Sequence, residues 1–345
     1  MQFYGWVSYQ QDVMDELARQ AEVFFYGPGF EGYDEGDSID GVLAKAPFQP
    51  DAILSGHAWL NDSASVEVDP HPQLRLSRTT IPKAVILNKE YLKLKEKLDY
   101  IRQNRFDLGF THHHDINRYT KVSETKFTFW PFGCDLEKFQ PIDNEKPIDL
   151  AFSGVLQNLN RNAEQTDIRA RIMKRLFYTC SDTPLLKRKA YRDINIYWDS
   201  ISRKVFGIPR HKIGRHLSAV LGKRARLDSV QYASLVRSSK MFINTLSPMG
   251  LVSPRFFESM ASGTLVFCEE SDLYKKIFPG DIFVSFKKDL SDFDEKFFYY
   301  LQAKTERENI VERAQSEARS KHGWDRRVSD LLQATGKLVG EKIVA

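Results

Sequence analysis

Ser253-Pro254-Arg255-Phe256-Phe257-Glu258-Ser259-Met260-Ala261-Ser262-Gly263-Thr264-Leu265-Val266-Phe267-Cys268 decides how this chain is read. Ser253 is a good N-cap and Pro254 suits the first helical position. Gly263 stops the helix, and Leu265-Val266-Phe267 is an apolar run of strand length. Glu258 falls about one turn into the helix. An acid there can accept hydrogen bonds from a polyol, while the free N–H groups of the first turn face an anion. A sugar nucleotide carries both groups, a diphosphate and a ribose diol. The plainer reading is a surface helix whose early Glu complements the dipole.

Outward from that stretch, strands alternate with helices. On the N-terminal side, strands are expected at Gln2–Val7, Ala21–Tyr26, Asp51–Ser55, Lys83–Leu87, Phe106–Phe110 and Lys126–Trp130. Helices are expected at about Gln10–Gln20 and Lys89–Gln103. Leu136–Pro147, polar and holding Pro141 and Pro147, reads as a linker. A second series follows: strand Ile148–Phe152 ending at Ser153-Gly154, helix Arg161–Tyr178, strand Ile194–Trp198, helix Asp228–Ser238 and strand Met241–Asn244. Beyond the central stretch come strand Asp281–Phe286 and helices at about Ser291–Gln302, Thr305–Lys321 and Trp324–Leu338. This alternation predicts parallel sheets in two Rossmann-like domains. Ligands of such sheets bind beyond the carboxyl ends of the strands, so the cleft between the domains is the expected site.

A chain of 345 residues suits two domains, and a hydrophobic share of 42% with 28% charged residues is that of a soluble globular protein. The three cysteines (Cys134, Cys180, Cys268) are widely spaced and predict reduced thiols in a cytoplasmic protein. Met1–Gln11 has no signal-peptide pattern, and no apolar run reaches membrane-spanning length. The net charge of +4 is uneven. Pro184–Arg226 holds twelve bases against Asp193 and Asp199, a local +10, which leaves −6 for the remainder. Such a segment predicts an anionic partner: a phosphate-bearing acceptor, a membrane face or nucleic acid. Tyr191, Tyr197 and Trp198 lie among these bases, as ring-stacking groups or as buried supports.

The motifs resemble a known family. Lys240–Asn244, Ser253–Thr264 and His322-Gly323-Trp324-Asp325-Arg326-Arg327 are similar to the donor-binding module of group 1 glycosyltransferases of GT-B architecture, and more specifically to their CgeB-like (spore maturation) branch. Tyr26-Gly27-Pro28-Gly29, Pro50–Ile53, Ile81-Pro82-Lys83, Phe106-Asp107, Pro131–Asp135 and Phe139 resemble the first half of the same branch more loosely. The resemblance implies an α/β fold of two facing Rossmann-like domains. Residues 1–140 would form the acceptor side, 148–323 would bind the nucleotide sugar, and 324–345 would cross back to the first domain. It implies that Glu258 binds the ribose and that the helix start at Ser253, Pro254 and Arg255 faces the donor. Many related retaining enzymes carry a Glu eight residues before the Glu258 equivalent; here that residue is Gly250, so retention does not follow.

Glycosyl transfer must stabilise a leaving diphosphate and take a proton from the acceptor. Enzymes of this architecture usually stabilise the diphosphate with Arg, Lys and helix N-termini, without a metal. The donor candidates are Gly154, Arg161, Lys212, Ser253, Pro254, Arg255, Glu258 and Gly263, with Arg210 beside Lys212. The base candidates follow first-half strands directly: His57, His114 and Asp115. Gly27, Gly29 and Glu31 in the glycine loop, with Asp34, Glu90 and His112, are acceptor-side candidates. His112 and His114 share a face in extended chain, but a His-x-His pair without a third ligand does not make a metal site. The expected activity is a cytoplasmic, metal-independent transferase, peripheral to the membrane if at it at all. It would move a sugar from a nucleotide sugar to a glycan or lipid-linked acceptor. The alternatives are a nucleic-acid glycosyltransferase and a nucleotide- or glycan-binding module without turnover.

Overall fold

The computed structural model describes residues 8–57, 59–60, 67–120, 124–142, 145–156, 167–179, 184–202, 204–205, 208–209, 227–278 and 280–344. Two compact units emerge. One comprises Met1–Asp135, Ser247–Pro254 and Lys321–Ala345; the other comprises Leu136–Leu246 and Arg255–Ser320. The short stretch 247–254 and the last helix thus group with the N-terminal half.

The first unit is built on four parallel strands in sequence order: β1 Ile53–Ser55, β2 Lys83–Ile86, β3 Leu108–Thr111 and β4 Lys126–Phe129. β2 and β3 are buried throughout, as central parallel strands covered on both faces must be. Val85, Leu87, Leu98, Ile101, Phe106, Tyr119 and Phe127 fill the core. Gly109 of β3 lies under Phe127, and a Cβ there would overlap the ring. The first described helix, Ser8–Gln20, packs against the last, Trp324–Val344. Gln20 Nε2 donates to Asp325 O at 2.8 Å, and the Tyr9 and Trp324 rings stack. Trp130 Nε1 donates to Arg327 O at 2.7 Å.

The second unit holds a five-stranded parallel sheet. Its strands are β5 Ile148–Leu156, β6 Ile196–Ser202, β7 Ser239–Asn244, β8 Leu265–Glu269 and β9 Val284–Phe286. Their order is β9-β8-β7-β5-β6. Counted from β5, this is the doubly wound 2-1-3-4-5 pattern, whose order reverses between β5 and β7. Ligands of such sheets bind at that reversal, so the carboxyl ends of β5 and β7 mark the site. Leu150, Phe152, Met241, Ile243, Leu265 and Phe267 form the core under the helices Ile168–Leu176, Phe293–Gln302 and Lys304–Lys321.

The stretch at residues 253–268 folds as a helix, a stop and a strand. Pro254 is the first residue of the helix Pro254–Ala261. Gly263 adopts φ +63°. Thr264 N–H bonds Ser259 O at 3.0 Å and Gly263 N–H bonds Met260 O at 3.2 Å, the paired hydrogen bonds of a Schellman stop. Lys146 Nζ adds bonds to Ser262 O at 3.1 Å and Thr264 Oγ1 at 2.8 Å. Phe256 and Phe257 lie against Phe278, the first nearly parallel to it at 4.6 Å.

Several expected elements are corrected. Ala21–Tyr26 is not a ladder strand; Phe24 and Tyr26 pack onto the first core, and the Tyr26 hydroxyl is tied to Asp34 O and Asp37. The helix expected from Lys89 begins at Leu94, because Lys89 and Lys93 take left-handed conformations in a turn that carries Glu90 inward. β5 does not end at Ser153-Gly154 but pairs with β6 as far as Leu156↔Ser202. The helix expected from Arg161 begins at Ile168, where Asp167 caps it by accepting from Arg169 N–H at 3.1 Å. It ends at Leu176, and Phe177–Thr179 pairs with Pro184–Lys187 instead. The last helix runs on to Val344. The strand expected at Gln2–Val7 lies outside the described residues, as do Arg161, Arg210 and Lys212.

The packing at Gly109 makes a contrast. Gly109→Ala is expected to lower stability by about 2 kcal/mol through overpacking against Phe127. Gly336→Ala, inside the last helix where nothing lies within 4 Å of a new Cβ, should raise it by about 0.5 kcal/mol. Urea unfolding of both variants checks this, and equal midpoints would refute the packing argument.

Candidate functional site

Two guanidinium groups occupy the strand reversal of the second unit. Arg169 is buried at 4% exposure. Its Nε donates to Thr245 Oγ1 at 2.5 Å and its Nη1 to Val155 O at 2.8 Å, with Nη2 at 3.5 Å from Leu246 O. It therefore spans the carboxyl ends of β5 and β7. Arg255, half-buried in the first turn of the Pro254–Ala261 helix, donates through Nη1 to Ser153 O at 2.5 Å. Both guanidiniums lie about the Phe152 ring, at 6.0 and 5.9 Å from its centre. Gly154 leaves the room: a Cβ there would overlap Arg255 Nη1.

Among the described residues neither arginine makes an ion pair, and every hydrogen-bond acceptor recorded for them is neutral. Burial, then the neighbouring Arg255 charge, pulls the Arg169 pKa down to about 10. The charges of Asp167 and Glu269 act against that shift. Two cations held in place by neutral acceptors make this a candidate anion site. Glu269, at the end of β8, accepts Leu246 N–H at 2.7 Å, and burial raises its pKa.

Glu258 lies one turn after Arg255 and is 6% exposed. Its Oε2 accepts from the Tyr232 hydroxyl at 2.8 Å. Tyr232 belongs to the helix Ser229–Arg237, fixed at its start by a capping box between Asp228 and Gln231. Burial, then the Glu258 charge, holds the Tyr232 phenol well above its usual pKa, so the phenol is the donor. Gly263 forms the helix stop; Ser253 immediately precedes the helix and Pro254 opens it.

The first-unit candidates separate into two kinds. His57 and His112 are buried, at 3% and 4% exposure, with nearly coplanar rings and Nε2 atoms 3.0 Å apart. His112 Nδ1 lies 2.8 Å from Trp130 O. A carbonyl only accepts, so Nδ1 of His112 carries its proton and its Nε2 accepts from His57 Nε2–H. His57 Nδ1 is then a buried lone pair with no partner among the described residues. Burial, then the His112 charge, lowers the His57 pKa well below its usual value; burial chiefly pulls His112 to about 3. Both rings are neutral at physiological pH.

Glu90 is fully buried and accepts from Thr111 Oγ1 at 2.8 Å, His112 N–H at 3.0 Å and the Tyr119 hydroxyl. Burial raises its pKa despite these donors. His114 is half-buried and stacks on His113 at 4.7 Å, while Asp115 is exposed. His113, from the same histidine cluster, lies with Nε2 3.2 Å from Met249 O. Gly27 and Gly29 take φ +146° and +95° in the loop that carries the exposed Glu31. Gly250 takes φ +79° beside Met249 at φ +69°. Among the described residues no group of three His, Cys, Asp or Glu is disposed to hold a metal ion.

Arg169 and Tyr232 are the residues that sequence reasoning missed. Asp167, a cap two residues before Arg169, was the signal for the first; nothing local marked the second.

Residues 192–333 match the family model described as glycosyl transferase-like. No protein of curated function matches the sequence. Among solved structures, sucrose-phosphate synthase of Thermosynechococcus elongatus is similar at 10% identity and a TM-score of 0.52, covering 88% of this chain and 77% of its own. The N-terminal domain of Candida albicans trehalose-6-phosphate phosphatase is similar at 11% identity and 0.56, over 87% and 72%. TarM is similar at 8% identity and 0.51; the match covers 82% of this chain and only 54% of TarM. At these identities the likeness is one of fold: mixed α/β with two Rossmann-like units of the GT-B kind. Among the described residues no helix is long and apolar enough to cross a membrane.

The neutral imidazoles set a pH dependence. The folded state keeps His57 and His112 unprotonated, whereas an unfolded histidine takes a proton below about pH 6.5. Their contribution is therefore complete above that pH and is lost as pH falls below it. Between pH 7.5 and 5.5 the pair should cost about 3 kcal/mol of stability, partly offset by the raised carboxyls of Glu90 and Glu269. Urea unfolding at the two pH values reads this, and His112→Gln should remove about half of the difference. A wild-type stability that does not change over that range would contradict neutral burial of the pair.

Proposed function

We propose that this protein is a nucleotide-sugar-dependent glycosyltransferase whose donor diphosphate lies on Arg169 and Arg255. The observation that carries the reading is the guanidinium pair at the strand reversal, held by neutral acceptors and lacking ion pairs among the described residues. A diphosphate supplies the missing charge. Bonds from two arginines strengthen as charge builds on the leaving group, which is what departure of the nucleotide demands. Glu258, one turn further along the helix, takes the ribose diol. With two cations on the diphosphate the reaction proceeds without a metal ion.

For the acceptor we assign deprotonation to His114 or Asp115, the accessible side chains after β3. His57, His112 and Glu90 are buried, and we assign them the support of that strand end. The acceptor class we favour is a glycan, lipid-linked or other phosphate-bearing acceptor, met at the cytoplasmic side of a membrane. The match of residues 192–333 to a glycosyl transferase-like family supports a transferase, and the motifs at Ser253–Thr264 and His322–Arg327 support its CgeB-like branch. No observation favours nucleic acid as acceptor, and residues 210–226 of the basic segment lie outside the described residues.

A screen of sugar nucleotides for binding and hydrolysis tests the reading. One donor should turn over at the same rate with and without EDTA. Arg169→Ala and Arg255→Ala should each weaken nucleoside diphosphate binding by about tenfold or more, since a hydrogen bond to a charged group is worth about 1.5–3 kcal/mol. Variants that bind and turn over as the wild type does would displace the donor from this pair. Binding without hydrolysis or transfer to any acceptor would favour a module without turnover.

A further inference from the structure

We infer that Tyr232 is a positioning residue: its hydroxyl orients the Glu258 carboxylate to read the ribose diol, and so sets preference for ribonucleotides over nucleotides lacking that diol. The inference rests on the proposed donor site and adds a residue to it from another helix.

A carboxylate selects a diol only if it is held still. A glutamate has three rotatable side-chain bonds, and an unrestrained one loses affinity to the ordering that binding requires. Here the 2.8 Å bond from Tyr232 restrains Oε2 of the carboxylate before any ligand arrives. Two carboxylate oxygens offer about four acceptor positions, more than the one that Tyr232 fills. Tyr232 is itself immobilised. Its ring meets Phe139 edge-on at 6.0 Å and Phe242 at 6.3 Å, and the capping box of its helix fixes the backbone. The phenol stays protonated, so its hydrogen remains available to the carboxylate. Glu258 follows Arg255, the proposed diphosphate cation, by one turn of the same helix.

The test compares UDP, GDP and ADP with their 2′,3′-dideoxy counterparts on the intact protein, by calorimetry. For the base that binds best, the wild type should prefer the ribonucleotide by about tenfold to a hundredfold, the value of a hydrogen bond to a charged group. Tyr232→Phe, which removes one oxygen, should cut that ratio by about fivefold while leaving the dideoxy affinity unchanged. The unchanged affinity also shows that the variant is folded. A structural role alone would weaken both nucleotides together. Glu258→Gln separates the two ideas. If it abolishes the preference and Tyr232→Phe does not, Tyr232 has no positioning role although the ribose reading stands. If Glu258→Gln leaves the preference intact, or no nucleoside diphosphate binds, the donor assignment fails and this inference with it.

Discussion

Two positive charges share one aromatic ring in the second unit, and no carboxylate among the described residues pairs with either. Buried or half-buried guanidiniums are costly unless their N–H groups are satisfied. The fold meets that demand with backbone carbonyls: Val155 O and Leu246 O at two strand ends, and Ser153 O one residue before Gly154. The length of β5, the missing side chain at Gly154 and the hydroxyl of Thr245 follow from holding Arg169 and Arg255 without neutralising them. Filling the space with an acid would have been simpler. Neutral acceptors fix the geometry and leave both charges in place.

The first unit handles buried polarity in the opposite way. Glu90 is surrounded by three donors, and Lys97, itself buried, donates to Asn88 O at 2.6 Å. His57 and His112 discard their charge altogether. The strand ends after β1 and β3 therefore carry neutral or satisfied groups inside, and a titratable surface only at His114 and Asp115. At the carboxyl edge the second sheet holds two arginines on neutral acceptors, and the first holds two neutral imidazoles.

Much of the architecture was legible because its signals are local. The apolar runs at Lys83–Leu87 and Met241–Asn244 have strand length, Asp228 with Gln231 spells a capping box, and Gly263 marks a stop that only a residue tolerant of φ > 0 fills cheaply. Errors came where distant partners decide. Gly154 looked like a turn, but β6 is long enough to pair past it, and its lack of a Cβ serves Arg255. Lys89–Lys93 has helical spacing, but burying Glu90 bends it into a turn. Arg161 looked like the helix start because a basic residue followed a glycine turn; Asp167 sets the start later and brings Arg169 to the strand ends. The site was half legible for the same reason. Arg255 and Glu258 sit on the motif itself, whereas Arg169 and Tyr232 reach it from helices whose placement depends on the sheet.

Gly250 shows how far a substitution in a motif can be a matter of backbone. Met249 and Gly250 are consecutive left-handed residues, at φ +69° and +79°. The turn is closed by Gly250 N–H to Ser247 O and by Ser247 N–H to Leu251 O, both at 3.0 Å. Met249 O meets His113 across a long sequence separation. Met249 already carries one left-handed side chain, and a second adjacent L-residue at +79° would add about 1 kcal/mol or more of strain. An acid at position 250 therefore needs a different turn as well as a different side chain. The glycine turn at Met249-Gly250 is tied to the histidine loop through Met249 O.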